Sequence, residues 1–166
     1  NESDKERLFV WNAETGEMSD LTAAFDYNAT NLIWDGNEAL WFVSPIEATH
    51  QLCRVTLDGK VEVVTSGDHD IVSATIESGR VVVAMQKITH ATELFEVDVK
   101  SGNLAQISNV NQEIYDNIPF GKVEKRWVKT TDGKKMLVWV ILPPDFDPAK
   151  KYPTLLYCQG GPQSVV

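Results

Sequence analysis

A repeat of 43 residues runs through the first two thirds of the chain and limits the folds available to it. Gly16, Gly59 and Gly102 lie 43 positions apart, and each separates two short runs of apolar and β-branched residues. Gly36 and Gly79 have the same spacing. Runs of this composition around a glycine turn predict β-hairpins. Four short strands in about 43 residues is the period of one blade of a β-propeller.

The repeat also predicts how many blades the chain contributes. We expect the last two strands of one blade at about residues 8–22, a second blade at about 30–65 and a third at about 71–108. Residues 1–108 then form a partial propeller of about two and a half blades. A single four-stranded sheet cannot bury both of its faces, and a closed propeller needs about four or more blades. We therefore expect further blades upstream and interpret the chain as an internal fragment.

A different pattern begins after residue 108. Residues 109–122 are polar, end in Pro119-Phe120-Gly121 and predict a linker. Residues 123–130 and 135–142 then alternate polar and apolar side chains around Thr131-Asp132-Gly133, which predicts another hairpin.

A proline-rich loop and an apolar run follow this hairpin. Pro143-Pro144-Asp145-Phe146-Asp147-Pro148 ends the second strand with a rigid loop. Residues 154–158 are a continuous apolar run, which is typical of a strand buried on both faces of a sheet. Gln159-Gly160-Gly161-Pro162 comes directly after this run, and a loop in that position can present backbone N–H groups to an oxyanion.

This order of elements resembles the junction of the prolyl oligopeptidase family of serine peptidases. The resemblance lies in the loop at 143–148, in Tyr152-Pro153 and in Gly160-Gly161-Pro162, and it is strongest to the acylaminoacyl-peptidase and dipeptidyl-peptidase branch. It implies a mainly β chain, in which the C-terminal blades of a β-propeller precede the first strands of an α/β-hydrolase domain. Residues 123–166 would be the truncated start of that peptidase domain.

The resemblance also implies a site. Gln159, Gly160 and Gly161 would lie in the oxyanion region. Acylaminoacyl peptidases typically carry a histidine in place of Gln159, and some dipeptidyl peptidases carry a tyrosine. The donor here is either the side-chain amide of Gln159 or a backbone N–H near Gly161. One such donor stabilises the transition state by about 2.7–4 kcal/mol, so the choice affects the rate and not the class of reaction.

The implied parent enzyme hydrolyses short peptides through a serine acyl-enzyme, with the propeller restricting the access of folded proteins. Its nucleophile would lie on a Gly-x-Ser-x-Gly elbow, and this sequence contains none. Ser164 follows the glycine loop without an elbow, so we do not assign it as the nucleophile. We expect the catalytic Ser, Asp and His beyond Val166 and expect the chain alone to be inactive.

Two other functions are compatible with parts of the sequence. A non-enzymatic propeller that binds proteins explains the repeat but leaves the proline-rich loop and the glycine loop unexplained. A hydrolase of esters or lipids explains those loops, but the propeller makes it a weaker alternative. We also expect the chain to self-associate, because a partial propeller exposes strand edges.

Composition argues against several partners. The net charge is −9, with 24 acidic and 15 basic residues, and no Lys/Arg cluster predicts nucleic-acid or membrane-surface binding. No apolar run approaches the ~20 residues of a membrane span. Cys53 and Cys158 lack zinc-ligand spacing and are expected to be buried free thiols, and no cofactor or metal is predicted. Periplasmic and cytoplasmic locations both remain open, because a signal peptide would lie upstream.

Histidines, turn-forming aspartates and tryptophans complete the candidates. We expect surface-loop positions for the three histidines, which are His50, His69 and His90. Asp68 and Asp70 are expected to form turns. All five tryptophans lie in strand patterns and are expected in the core or between blades. They are Trp11, Trp34, Trp41, Trp127 and Trp139.

Overall fold

Strands dominate the computed structural model, which describes residues 4–158. The chain divides into two units after Asn109. The first unit contains β1 (Phe9–Trp11), β2 (Met18–Asp20), β3 (Thr30–Asp35), β4 (Ala39–Ile46), β5 (Thr49–Thr56), β6 (Val61–Val63), β7 (Asp70–Glu77), β8 (Arg80–Lys87), β9 (His90–Val97) and β10 (Leu104–Gln106). The second contains α1 (Gln112–Tyr115), β11 (Val123–Lys129) and β12 (Lys135–Ile141). Between residues 4 and 158, no helix is long and apolar enough to cross a membrane.

The first unit contains two antiparallel sheets of four strands each, which are joined by one parallel residue pair between β5 and β7. Blade A consists of β3, β4, β5 and β6, and blade B consists of β7, β8, β9 and β10, with neighbouring strands paired in chain order. β1 and β2 form a separate hairpin. The glycines that mark the repeat, Gly16, Gly59 and Gly102, lie in the hairpin turns with φ of 76°, 83° and 72°. Glycine adopts this left-handed conformation without a steric penalty, which explains its recurrence.

Blade A is buried on both faces, and the alternation along β4 shows why. Leu40 and Phe42 point to one face, where they belong to a buried cluster with Leu8 and Leu21. Trp41 and Val43 point to the other face and belong to a cluster that includes residues of blade B. Successive side chains of a strand point to opposite faces, so one strand contributes to two cores. The sheets therefore stack face to face, as propeller blades do.

A hydroxyl side chain recurs at the edge of each repeat. It accepts a hydrogen bond from the backbone N–H of a leucine that lies at or just before the third strand of the repeat, and the donor–acceptor distances are 2.8–2.9 Å. The pairs are Leu8 with Thr22, Leu52 with Thr65, and Leu94 with Ser108. The hydroxyl continues the hydrogen bonding of the sheet after the outer strand has ended. Thr22, Thr65 and Ser108 also lie 43 positions apart in the sequence, and this shared contact is the structural cause of that spacing.

The expected packing of the tryptophans is correct only in part. Trp41 is 3% exposed in the core between the blades, and Trp139 is half-buried. Trp11, Trp34 and Trp127 are largely exposed, so the expectation is wrong for them. They lie on β1, β3 and β11, which are edge strands of their sheets in the described part of the chain. An edge strand can leave one face without a packing partner even when its sequence pattern is that of a core strand.

The apolar run at 154–158 is not a strand, which corrects the sequence prediction. Leu155 is 99% exposed, Leu156 and Tyr157 are also exposed, and the Cys158 thiol is exposed and not buried. A strand requires hydrogen-bonded neighbours, and the sheet of the second unit consists of β11 and β12 alone among residues 110–158. The hairpin of β11 and β12, by contrast, forms as predicted around Gly133.

Candidate functional site

The chain approaches the predicted oxyanion region through a loop that is anchored at its start. The backbone N–H of Leu142, just after β12, donates to the carbonyl of Lys122 with an N–O distance of 2.9 Å. Gly121 lies directly against the same segment, because a Cβ on Gly121 would be 1.8 Å from the Leu142 carbonyl oxygen. Only glycine allows this approach. The end of the linker and the end of β12 are therefore held together.

The proline-rich loop is closed by Tyr152. The Tyr152 hydroxyl accepts a hydrogen bond from the backbone N–H of Asp147 at 2.9 Å, and its ring lies 5.1 Å from that of Phe146 between centroids. The Asp147 carboxylate accepts from the backbone N–H of Ala149 at 3.0 Å. Asp145 has a φ of 56°, a conformation that aspartate tolerates better than most residues. These contacts fix the point from which the chain continues to Pro153.

An open pocket of about 370 Å³ lies between this loop and β11. One wall carries Lys122, Glu124 and Arg126, and the other carries the prolines and Phe146. The Glu124 carboxylate accepts hydrogen bonds from both basic side chains. Hydrogen bonding to Arg126 first, and to Lys122 second, lowers the pKa of Glu124 below its usual value. A paired carboxylate of this kind is a poor general base at neutral pH.

The residues that the resemblance assigns to the site are not described by the structure. Gln159, Gly160 and Gly161 lie outside the described range, as does Ser164. Their assignment stays a prediction. Sequence reasoning missed the anchoring contacts of Gly121 and Tyr152. Tyr152 follows Asp147 and a proline, which is compatible with a closed loop. That position alone does not predict a hydrogen bond from Asp147 to the Tyr152 hydroxyl, because such a bond has no distinctive sequence pattern.

His50 is not in a surface loop, and Asp70 does not form a turn, so both expectations are wrong. His50 lies in β5 and Asp70 begins β7. The Asp70 carboxylate oxygen Oδ1 accepts a hydrogen bond from the backbone N–H of His50 at 2.8 Å and lies 2.9 Å from His50 Nδ1. Because a carboxylate only accepts, Nδ1 carries the proton. A His–Asp pair also orients the base of a serine peptidase, but this pair joins two strands and fits a structural role.

His69 is also misplaced by the sequence interpretation, because it is only 6% exposed. It lies in the segment that crosses from β6 to β7, and the Gly67 carbonyl of that segment accepts a hydrogen bond from the Gln51 side chain at 2.9 Å. Burial lowers the pKa of His69, and the positive charge of Lys87 lowers it further. His90 is exposed as expected, but it begins β9 and does not lie in a loop.

The remaining groups to consider among residues 4–158 are the thiols and the possible metal ligands. Burial raises the pKa of the Cys53 thiol to about 12, so this thiol is inert at neutral pH. It is a buried free thiol, as the sequence predicts. Within residues 4–158, no three His, Cys, Asp or Glu side chains come together in a way that could hold a metal ion.

Comparison with known proteins gives sequence relatives named dipeptidyl-peptidase 5. No family model matches the chain. Dipeptidyl-peptidase 5 of Porphyromonas gingivalis is 39% identical over 167 residues, which cover 99% of this chain and 24% of the relative. The chain therefore spans about a quarter of the length of this curated relative, and the match includes both units.

Two solved structures share the fold. An acylaminoacyl peptidase in complex with Z-Gly-Gly-Phe-chloromethyl ketone matches 89% of this chain and 22% of its own, with a TM-score of 0.73 and 20% identity. The β-propeller domain of the Trilobed protease from Pyrococcus furiosus matches 66% of this chain and 33% of its own, with a TM-score of 0.54 and 23% identity.

These matches confirm the predicted mainly β chain with propeller blades. The start of an α/β-hydrolase domain stays a prediction. The resemblance that the proline-rich and glycine loops indicated is also confirmed, because the 39% identical relative aligns with nearly the whole chain. The chain belongs to the prolyl oligopeptidase family of serine peptidases, as its 39% identity to dipeptidyl-peptidase 5 along nearly its whole length shows.

Proposed function

We propose that the protein containing this chain hydrolyses short peptides through a serine acyl-enzyme, and that this chain is the segment where its propeller meets its catalytic domain. The observation that carries the proposal is the 39% identity to a dipeptidyl-peptidase 5 along 99% of the chain. That match continues past the repeat and through the proline-rich loop. A propeller that serves only as an interaction module would not need those residues, so the match favours the peptidase over that alternative.

Dipeptides are the proposed products. The relative with 39% identity is a dipeptidyl peptidase, whereas the acylaminoacyl peptidase structure is 20% identical and supports the fold alone. Gln159, Gly160 and Gly161 would supply the oxyanion region, and residues 123–166 would begin the α/β-hydrolase domain. The catalytic Ser, Asp and His would lie beyond Val166. The rigid loop closed by Tyr152 would then set the direction in which the chain enters the site.

Hydrolysis of two chromogenic substrate types tests this proposal. We expect the full-length protein to release p-nitroaniline from dipeptidyl substrates with a free amino terminus, and to act far more slowly on N-acetylated aminoacyl substrates. The 166-residue chain should release none from either. Preference for the acylated substrate would contradict the dipeptidyl assignment, and turnover by the isolated chain would contradict the placement of the triad.

The isolated chain should also self-associate through blade B. Leu94 of β9 occupies the position that Leu52 holds in β5, since the backbone N–H of each donates to the repeated hydroxyl. Leu52 is buried between the two blades, but Leu94 is exposed. An apolar blade face without a stacked neighbour promotes association.

Light scattering at increasing concentration measures this association. We expect the apparent mass to rise above the 18.5 kDa of one chain. Leu94→Glu should suppress the rise, and the matched change Leu32→Glu, at an exposed residue of β3, should not. A constant mass of one chain, or equal effects of the two substitutions, would count against blade B as the contact.

A further inference from the structure

The contact between blade A and blade B at the start of β7 depends on side chains. We call this contact, formed by His50, His69 and Asp70, the blade seam. The two sheets share only one parallel strand pairing there, between His50 and Asp70. The Asp70 carboxylate holds that pairing through the backbone N–H and the Nδ1 atom of His50, at 2.8 and 2.9 Å. Beside this pairing, the Asn31 side chain of β3 donates to the Val72 carbonyl at 3.1 Å. The start of β7 therefore has few hydrogen bonds to blade A to lose when the seam opens.

His69 is the weak point of the seam. Its imidazole is more than nine-tenths buried, and its Nε2 atom has no hydrogen-bond partner among residues 4–158. The ring lies against the crossing segment, because a Cβ on Gly67 would be 3.1 Å from His69 Nδ1. A buried polar atom without a partner destabilises the state that buries it. The Nε2 atom of His69 would therefore gain a hydrogen bond from water if the seam opened.

The charged groups that act on His69 come from three elements. Asp68 lies on the crossing segment, Asp70 begins β7 and Lys87 ends β8. The two carboxylates favour a protonated imidazole, whereas burial and Lys87 disfavour it, and burial is the largest of these effects. A proton on His69 is thus opposed in the closed seam and accepted readily once the ring reaches water.

We propose that the blade seam is an acid-sensitive contact, in which protonation of His69 at mildly acidic pH separates the start of β7 from blade A. The inference concerns the propeller and does not depend on the proposed peptidase activity. An opened seam would expose the apolar residues that blade A and blade B bury between them.

The direction of the pH dependence follows from the lowered pKa of His69. The imidazole of an open seam titrates near its ordinary value of 6.5, and that of the closed seam titrates below it. The seam is therefore fully stable above pH 6.5 and loses stability as the pH falls through the lowered pKa.

Hydrogen exchange of residues 70–77 tests the proposal in the 166-residue chain. Between pH 7.5 and 5.5, we expect protection of this segment to fall, after correction for the intrinsic exchange rate. The fall should be up to about tenfold for each unit by which the pKa of His69 in the closed seam lies below that in the open seam. The hairpin of β11 and β12 should show no such change. His69→Gln should remove the pH dependence, because the amide does not titrate. His90→Gln, at an exposed histidine, should keep it.

A titration of the wild-type chain covers the case in which His69→Gln does not fold. The NMR shifts of the His69 imidazole should follow a pKa below 6.5 and change together with the amide signals of residues 70–77. A His69 that titrates at or above its ordinary value would overturn the proposal. Unchanged protection at pH 5.5 would overturn it as well, and so would a pH dependence that survives in His69→Gln.

Discussion

Replacing Gly102 by alanine is expected to destabilise the propeller unit by about 2–5 kcal/mol. Gly102 has a φ of 72°, where an L-residue is strained by about 1–2 kcal/mol. Its missing side chain also makes room for a neighbouring blade, because a Cβ would lie 2.1 Å from the Val64 carbonyl oxygen. A backbone atom cannot move aside cheaply. Overpacking of this kind adds about 1–3 kcal/mol to the strain.

The repeat itself supplies matched controls for this substitution. Gly16 and Gly59 occupy equivalent turns with φ of 76° and 83°. Among residues 4–158, a Cβ on Gly16 meets nothing within 4 Å, and one on Gly59 would lie at an ordinary 3.5 Å from the Leu21 carbonyl oxygen. Gly16→Ala and Gly59→Ala should therefore cost only the backbone strain of about 1–2 kcal/mol. The additional loss of stability in Gly102→Ala, beyond that of the two control variants, reports how closely blade B approaches blade A.

Cysteine labelling in urea can measure these differences within one chain. The Cys53 thiol is buried in blade A and should react only when the first unit unfolds, whereas the exposed Cys158 thiol reacts at once and calibrates the reagent. The urea concentration that exposes Cys53 should fall most in Gly102→Ala. Equal midpoints for the three alanine variants would show that the close approach at Val64 does not limit stability.

Local signals explain why the blades could be predicted from the sequence. A glycine turn with apolar runs on both sides specifies a hairpin over fewer than twenty residues, and three such hairpins at a fixed period specify stacked sheets. The turns at Gly16, Gly59 and Gly102 all have the positive φ that this interpretation requires. The hairpin around Gly133 was predictable for the same reason.

Burial that depends on distant partners could not be predicted in the same way. Trp34 and Trp41 lie in similar strand patterns, but β4 has a sheet on both faces and β3 is an edge. Residues 154–158 have the composition of a buried strand, yet no strand among the described residues pairs with them. His69 is buried because the crossing segment folds over blade A, and nothing in the sequence around His69 specifies that contact.

The candidate site could be predicted only through family resemblance. The motif at Gln159–Gly161 has no chemistry by itself, since an oxyanion hole acts only beside a nucleophile. The structure adds the anchored loop at Gly121 and Tyr152, which leads the chain towards that motif. It also shows that the His50–Asp70 pair joins two strands.

Labelling with a fluorophosphonate tests most directly the claim that this chain is part of a serine peptidase whose nucleophile lies elsewhere. Such a probe bonds covalently to a serine that an adjacent base activates. We expect the full-length protein to take up one probe molecule, on a serine beyond Val166 within a Gly-x-Ser-x-Gly sequence. The 166-residue chain should take up none, and Ser164 in particular should stay unmodified. A probe found on Ser164, or a full-length protein that does not react, would contradict the account.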